Sequence, residues 1–379
     1  MKKIFKLIVV MLALAIVGFN IYIMATGQWV VYKIFYYNLA NLDDYKIFAN
    51  RTLPASSKPF KWNVAPKQTY SLPDSLAKKF ETIETTALLV IKNDTVLLEQ
   101  YWEGYDAHTI SNSFSMAKSY VSTLIGIACK EGLISSLDQP IGDFLQEFKI
   151  GEKSKITLRH CLMMSSGLNW KEEYLNPLSS VTQAYYGNDI RLLMSKLESI
   201  KKPGQAFEYK GGDTQILAFV LEKIYRKNLS EIATEKLWKP IGASNNALWS
   251  LDREEGEEKA SCCLFATARD FALLGRLFLK QGNWEGKQLL DSSFINLAIS
   301  PSLLPDKENK PTNYYGYQWW LLPEYTATNI YYARGVSGQY IIINPEKNII
   351  IVRLGKQRGS KQGSSFDEVF DLVNMTKSW

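Results

Sequence analysis

The 379-residue chain carries 44 Lys and Arg against 38 Asp and Glu, a net charge of +6 with no concentrated basic block, so nucleic-acid binding has no electrostatic footing. Its 46% hydrophobic and 22% charged content is that of a globular protein rather than a disordered one. The 13% of Phe, Trp and Tyr suits a solid core and an aromatic-lined cleft.

Lys2, Lys3 and Lys6 precede an uncharged apolar run from Leu7 to about Thr26, roughly the 20 residues needed to cross a bilayer core. A cleaved signal peptide has an apolar region of about 7–15 residues followed by a small-x-small site. This run is longer and no A-x-A follows it, so residues 1–27 read as an uncleaved signal-anchor, a transmembrane helix. The leading lysines favour a cytoplasmic N-terminus, which puts the rest of the chain on the periplasmic or extracellular side. Residues 28–48 are aromatic and amphipathic and suit the membrane surface. The Pro-, Ser- and Lys-rich stretch after them reads as a linker or extended arm, so 28–74 form a juxtamembrane segment and linker.

Regular structure is expected from about Ser75, in a domain of residues 75–379. "DSLAKKFETIE" has the pattern of a capped amphipathic helix, and "ALLVIKNDTVLLEQYW" that of two strands about an Asn93-Asp94 turn. From Ser115 to about Ile299 the pattern is mainly helical. Strands return in "YGYQWWLL", "NIYYARG" and "GQYIIINPEKNIIIVRLG", and a helix over Phe366–Lys377 closes the chain. Strands at both ends imply one antiparallel sheet built from the two chain ends, with flanking helices and an inserted helical subdomain, an α+β fold. Clefts form where such subdomains meet.

Cys129, Cys161, Cys262 and Cys263 contain no CxxC. Two are adjacent and are expected not to pair with each other, so buried thiols are the default, and no metal or other cofactor is indicated. A Ser-His-Asp triad would have to use His108 or His160. The first lies in a loop and the second in an apolar run, where a structural role is expected. G-x-S-x-G, HExxH, Walker A and EF-hand patterns are all missing.

Ser-x-x-Lys remains. It places both side chains on one helical face within reach of each other, and a serine in the first turn has its backbone N–H free for a developing anion. The pattern occurs at Ser75–Lys78, Ser115–Lys118 and Ser199–Lys202. The first and third sit on polar or helix-ending segments. The helix after Ser115 is apolar nearly all round, and Ser115, Lys118, Ser119 and Ser122 form its one polar stripe. The competing reading of that stripe is a solvated surface. Spacing does not choose a third group to pass the proton on: Tyr-x-Asn appears at Tyr36, Tyr174 and Tyr186 alike.

From about residue 85 to 355 the chain resembles the serine β-lactamase-related hydrolases, the group of class C β-lactamases, DD-peptidases and related esterases. Within that group it is most similar to the 6-aminohexanoate-dimer (nylon-oligomer) hydrolase branch. The resemblance rests on "SFSMAKSYVSTLIG", "ITLRHCLMMSSGLNWKEEYLNP", "FEYKGGDTQILAFVLEKIY", "ATARDFALLGRLFLKQGNWEGKQLL" and "RGVSGQYIIINPEKNIIIVRLG", in family order. It implies a β-lactamase/transpeptidase-like fold and a serine hydrolase of small amides or esters. Ser115 would be the acylated nucleophile, Lys118 its proton partner and Tyr209 the general base and acid. The backbone N–H groups of Ser115 and Val336 would form the oxyanion hole, with Tyr174, Arg334, Gly335 and Ser337 around the substrate. Gly211 stands where the family's tyrosine motif has Asn or Ser, and "ARG" (Ala333–Gly335) replaces its Lys-Thr-Gly or His-x-Gly strand motif. These departures weigh against β-lactam hydrolysis rather than against the nucleophile. Two other functions fit the same fold: a non-catalytic binder of cell-wall peptides, and a DD-peptidase or β-lactamase proper.

Overall fold

The computed structural model describes residues 1–37, 39–66, 70–325 and 328–379. The chain ends do build the main sheet. Its seven strands run in the order Trp320–Leu321, Tyr331–Gly335, Gln339–Asn344, Ile349–Gly355, Thr85–Lys92, Thr95–Tyr101, Asn63–Val64. All pairings are antiparallel except the last, which is parallel. The join between early and late chain is the pairing of Ile349–Gly355 with Thr85–Lys92, in which Ile350 faces Ile91 and Val352 faces Leu89.

Both central late strands are buried along their whole length, as expected of strands covered on two faces. Alternation sorts their side chains. Ile341, Ile343, Ile350 and Val352 pack toward the helical subdomain with Phe271 and Leu274. Ile342 and Ile351 pack on the opposite face with Phe80, Val369, Leu372 and Val373 of the helices Asp74–Thr82 and Asp367–Met375.

Residues 50–64, read as linker or extended arm, lie extended inside the fold. Asn63–Val64 edges the main sheet, and Asn50–Leu53 belongs to a second sheet with Ala247–Ser250, Leu264–Ala266 and Ser111–Asn112. That small sheet interrupts the segment expected to be helical; its strands are two to four residues long, too short for a period-two pattern to show. Its pairing of Asn112 with Phe265 fixes the chain just before Ser115.

The adjacent cysteines also depart from expectation: Cys262 and Cys263 form a disulfide across a single peptide bond, with Cα atoms 3.8 Å apart. Cys263 has a left-handed backbone (φ 68°), which lets two successive side chains meet. Cys129 and Cys161 are free thiols.

The first 26 residues form one helix, Lys2–Thr26, long and apolar enough to cross a membrane. Only Ile23 of it is buried, so it is not a core helix of this domain.

The helix Gly211–Tyr225 is fastened by Asp213 in its first turn. Ser166 donates its hydroxyl to Asp213 Oδ1 at 2.5 Å and its N–H to Oδ2 at 3.4 Å. Burial pushes this carboxyl up to about 7, against the lowering effects of Ser166 and Lys210. The folded value exceeds the ordinary one, about 3.9. The contribution to stability is therefore complete below about pH 4 and is lost as the pH rises through about 7. Asp213→Asn is expected to flatten the dependence of Tm on pH between 4 and 8, measured by scanning calorimetry. An unchanged pH profile in the variant would contradict this.

Candidate active site

Ser115 lies in a single tight turn, Phe114–Met116, leading directly into the helix Ala117–Lys130. Ser113 N–H donates to Leu264 O at 2.8 Å, and Phe114 N–H to Asn112 Oδ1 at 2.9 Å. Phe114 is left-handed (φ 42°), a sharp entry that over-determines the serine's position. The helix is buried from Ala117 to Ala128, its polar stripe included. Ser119 and Ser122 donate to the carbonyls of Gln318 and Tyr317, each at 2.7 Å. The stripe is thus a buried seam joining the helix to the segment before the strand Trp320–Leu321 rather than a solvated face.

Lys118 is 2% exposed. Its Nζ lies 3.1 Å from Ser115 Oγ and 2.6 Å from the carbonyl of Ser261, and 5.2 Å from the ring centroid of Tyr209. Lys78 and Lys202, the other Ser-x-x-Lys lysines, are exposed. Tyr209 is held by its ring, in contact with Tyr315 (5.9 Å between centroids) and Trp320 (5.4 Å). Neither histidine lines the space at Ser115. His160 Nδ1 accepts the Thr157 N–H and caps a short helix, and His108 is an exposed loop residue.

The strand Tyr331–Gly335 brings up the opposite wall. A Cβ on Gly335 would fall 2.3 Å from Ser113 O and 3.0 Å from Phe114 Cβ, so only glycine lets this strand close against the serine turn. Ser115, Tyr174, Tyr209, Arg334, Gly335 and Val336 together line a recess of about 290 Å³. Lys118 and Ser337 line a larger cleft of about 1390 Å³ that also reaches Ser115 and Val336. All eight residues singled out from the sequence border these two spaces. Arg334 lies over the Trp320 ring, its guanidinium carbon 3.2 Å from the centroid. The turn after it is tied down by the fully buried Arg353, which donates to the carbonyls of Ser337 and Gly338 at 3.2 and 2.8 Å.

Other groups at the site had no signal in the sequence. Glu172 Oε2 accepts from Gly211 N at 2.8 Å and from Trp170 Nε1 at 2.5 Å, and its Oε1 accepts from the Tyr174 hydroxyl at 2.8 Å. A Cβ on Gly211 would meet Ser261 Oγ at 3.1 Å and Glu172 Oε2 at 3.4 Å. The missing side chain at 211 is thus offset by a carboxylate and a hydroxyl from two other loops. Lys259, also in the large cleft, is 2% exposed and its Nζ has no hydrogen-bond partner among the described residues. It lies 3.3 Å from the Phe48 ring centroid, and burial holds it well below the usual lysine range.

Several known proteins are similar to this chain. The 6-aminohexanoate-dimer hydrolase of Paenarthrobacter ureafaciens is 25% identical over 302 residues, 75% of each chain. A solved Bacillus anthracis structure, provisionally called a 6-aminohexanoate-dimer hydrolase, superposes with a TM-score of 0.68 at 21% identity, covering 86% of this chain and 89% of its own. A family VIII carboxylesterase superposes with a TM-score of 0.66 at 16% identity, covering 83% and 98%. The family profile described as beta-lactamase matches residues 74–372, and with most of its length in that match the chain belongs to the beta-lactamase family of hydrolases.

Proposed function

We propose that this chain is a membrane-tethered serine hydrolase that cleaves a small amide or ester through an acyl-enzyme on Ser115. The observation that carries the reading is the buried Lys118 Nζ, 3.1 Å from Ser115 Oγ with the Tyr209 ring beside it. Ser115 Oγ attacks the substrate carbonyl and its proton passes to the Lys118–Tyr209 pair. The oxyanion is met by the backbone N–H groups of Ser115 and Val336. Collapse breaks the bond to the leaving nitrogen or oxygen, which takes a proton from Tyr209, and water then releases the acyl group. Support for the amide or ester class comes from the Paenarthrobacter relative, named for hydrolysis of a 6-aminohexanoate dimer, and from the carboxylesterase fold neighbour. The helix Lys2–Thr26, led by three lysines, supports a membrane anchor with the hydrolase body outside the cytoplasm.

Against p-nitrophenyl esters, Ser115→Ala is expected to lose at least ~10³-fold in kcat, and Lys118→Met and Tyr209→Phe about 10²–10⁴-fold each. Full activity in Ser115→Ala would sink the assignment. A wild-type protein inert to every acylating probe that still binds peptidoglycan fragments would turn the reading to a cell-wall-peptide binder, and release of D-Ala from a stem-peptide mimic to a DD-peptidase.

Gly335→Ala tests the oxyanion hole separately. Forcing the strand away from Ser113 displaces the Val336 N–H, so kcat should fall about 10²–10³-fold, the loss of one such donor. Circular dichroism should stay native. A kcat within twofold of wild type would contradict the placement of that donor.

A further inference from the structure

The large cleft runs from Ser115 to the segment that follows the apolar N-terminal helix. Ile34, Phe35 and Leu39 line it as a first wall, and Leu175, Pro177 and Val181 line it as well. At about 1390 Å³ it exceeds the ~300–1,000 Å³ of an ordinary ligand pocket. Its outer end leaves Phe35 71%, Leu39 59% and Leu175 85% exposed.

The first wall is fixed on both sides. Toward the catalytic body, Leu42 O accepts the N–H of Asn112, three residues before the nucleophile, at 3.0 Å. Asp44 Oδ2 takes hydrogen bonds from Asn41 N at 2.9 Å and the Tyr185 hydroxyl at 2.6 Å. The Tyr37 ring is parallel to that of Tyr186. Toward the apolar helix, Phe35 meets the Phe19 ring edge-on at 6.2 Å, and the Tyr32 hydroxyl donates to Asn20 Oδ1. Phe19 lies seven residues before the end of the helix Lys2–Thr26, about 10 Å along its axis. With the uncharged run Leu7–Thr26 matching the bilayer core, the Phe19–Phe35 contact sits about 10 Å inside the edge of that core, the depth to which interfacial helices bury their apolar faces.

The two spaces at Ser115 divide the substrate between them. Tyr209, which protonates the leaving group, borders the 290 Å³ recess and not the large cleft. The leaving group therefore occupies the small recess, and the acyl part extends into the apolar cleft. We infer that the substrate is a long-chain acyl ester or amide drawn from the membrane, its alkyl chain entering between Phe35 and Leu175 and its carbonyl reaching Ser115. The chemistry is that of the proposed hydrolase, on which this inference rests. The acyl carbon forms an ester bond to Ser115 Oγ, its bond to a small alcohol or amine breaks with the proton going to the leaving group, and water releases the long-chain acid.

The test uses the full chain in phosphatidylcholine nanodiscs. With p-nitrophenyl acetate, octanoate and dodecanoate, kcat/KM should rise at least 30-fold from acetate to dodecanoate; this is a modest demand, since a buried methylene is worth about fourfold in water. Val181→Trp, which fills the cleft, should cut the dodecanoate-to-acetate ratio at least tenfold. A flat or falling profile, or one that Val181→Trp leaves unchanged, overturns the inference. The second arm irradiates Ser115→Ala with a diazirine-bearing dodecyl amide and maps the adducts by mass spectrometry. Adducts are expected on residues 34–40 or 175–181; adducts only elsewhere, or displacement by a short polar amide as readily as by a dodecyl one, overturn it. Cleft adducts in a protein that cleaves no ester would uphold the chain site and remove the hydrolase. Ester cleavage with a flat profile and no cleft adducts would do the reverse.

Discussion

A lysine nitrogen buried at the foot of a cleft is costly unless it finds polar partners. Lys118 meets that demand with Ser115 Oγ, the Ser261 carbonyl and the face of Tyr209. Each partner comes from a different part of the chain, and much of the fold can be understood as what holds the three together. The Ser115 turn is pinned by Leu264 in the small sheet, the Ser261 carbonyl belongs to the loop leading into that same strand, and Tyr209 leads into the helix fastened by Asp213. Lys259 shows the contrast: equally buried, it has an aromatic ring but no hydrogen-bond partner among the described residues.

The same economy explains the departures from the usual motifs. The strand that would carry Lys-Thr-Gly carries Ala333, Arg334 and Gly335, yet it keeps the glycine that the close approach to Ser113 requires. Arg334 supplies a cation at the recess from beneath Trp320. Gly211 gives up a side chain, and Glu172 and Ser261 close over the space.

Much of this was legible in the sequence because it depends on local pattern. The hairpin about Asn93-Asp94, the isoleucine-rich late strands and the apolar helix after Ser115 each bury enough surface to stand out as apolar runs bounded by turns. Choosing Ser115–Lys118 among three matches drew on its apolar helix, the lack of a usable histidine and the downstream segments in family order, whereas Tyr209 among 21 tyrosines rested on the family resemblance alone. What stayed hidden arises from long-range contact. The small sheet has strands of two to four residues, and Glu172 meets Gly211 across 39 positions. The extended arm of residues 50–64 has no apolar stripe because its strands are held by backbone pairing. The Cys262–Cys263 pair ran against the ordinary separation of bridged cysteines.

The central claim is that Ser115 becomes acylated during turnover. Acid-quenching the full chain within milliseconds of mixing with an excess of p-nitrophenyl ester, then sequencing its peptides by mass spectrometry, reads that directly. The account predicts the mass of one acyl group on Ser115, absent from the Lys118→Met protein at the same time point. Acyl mass on another side chain, or steady turnover with Ser115 unmodified throughout, would contradict it.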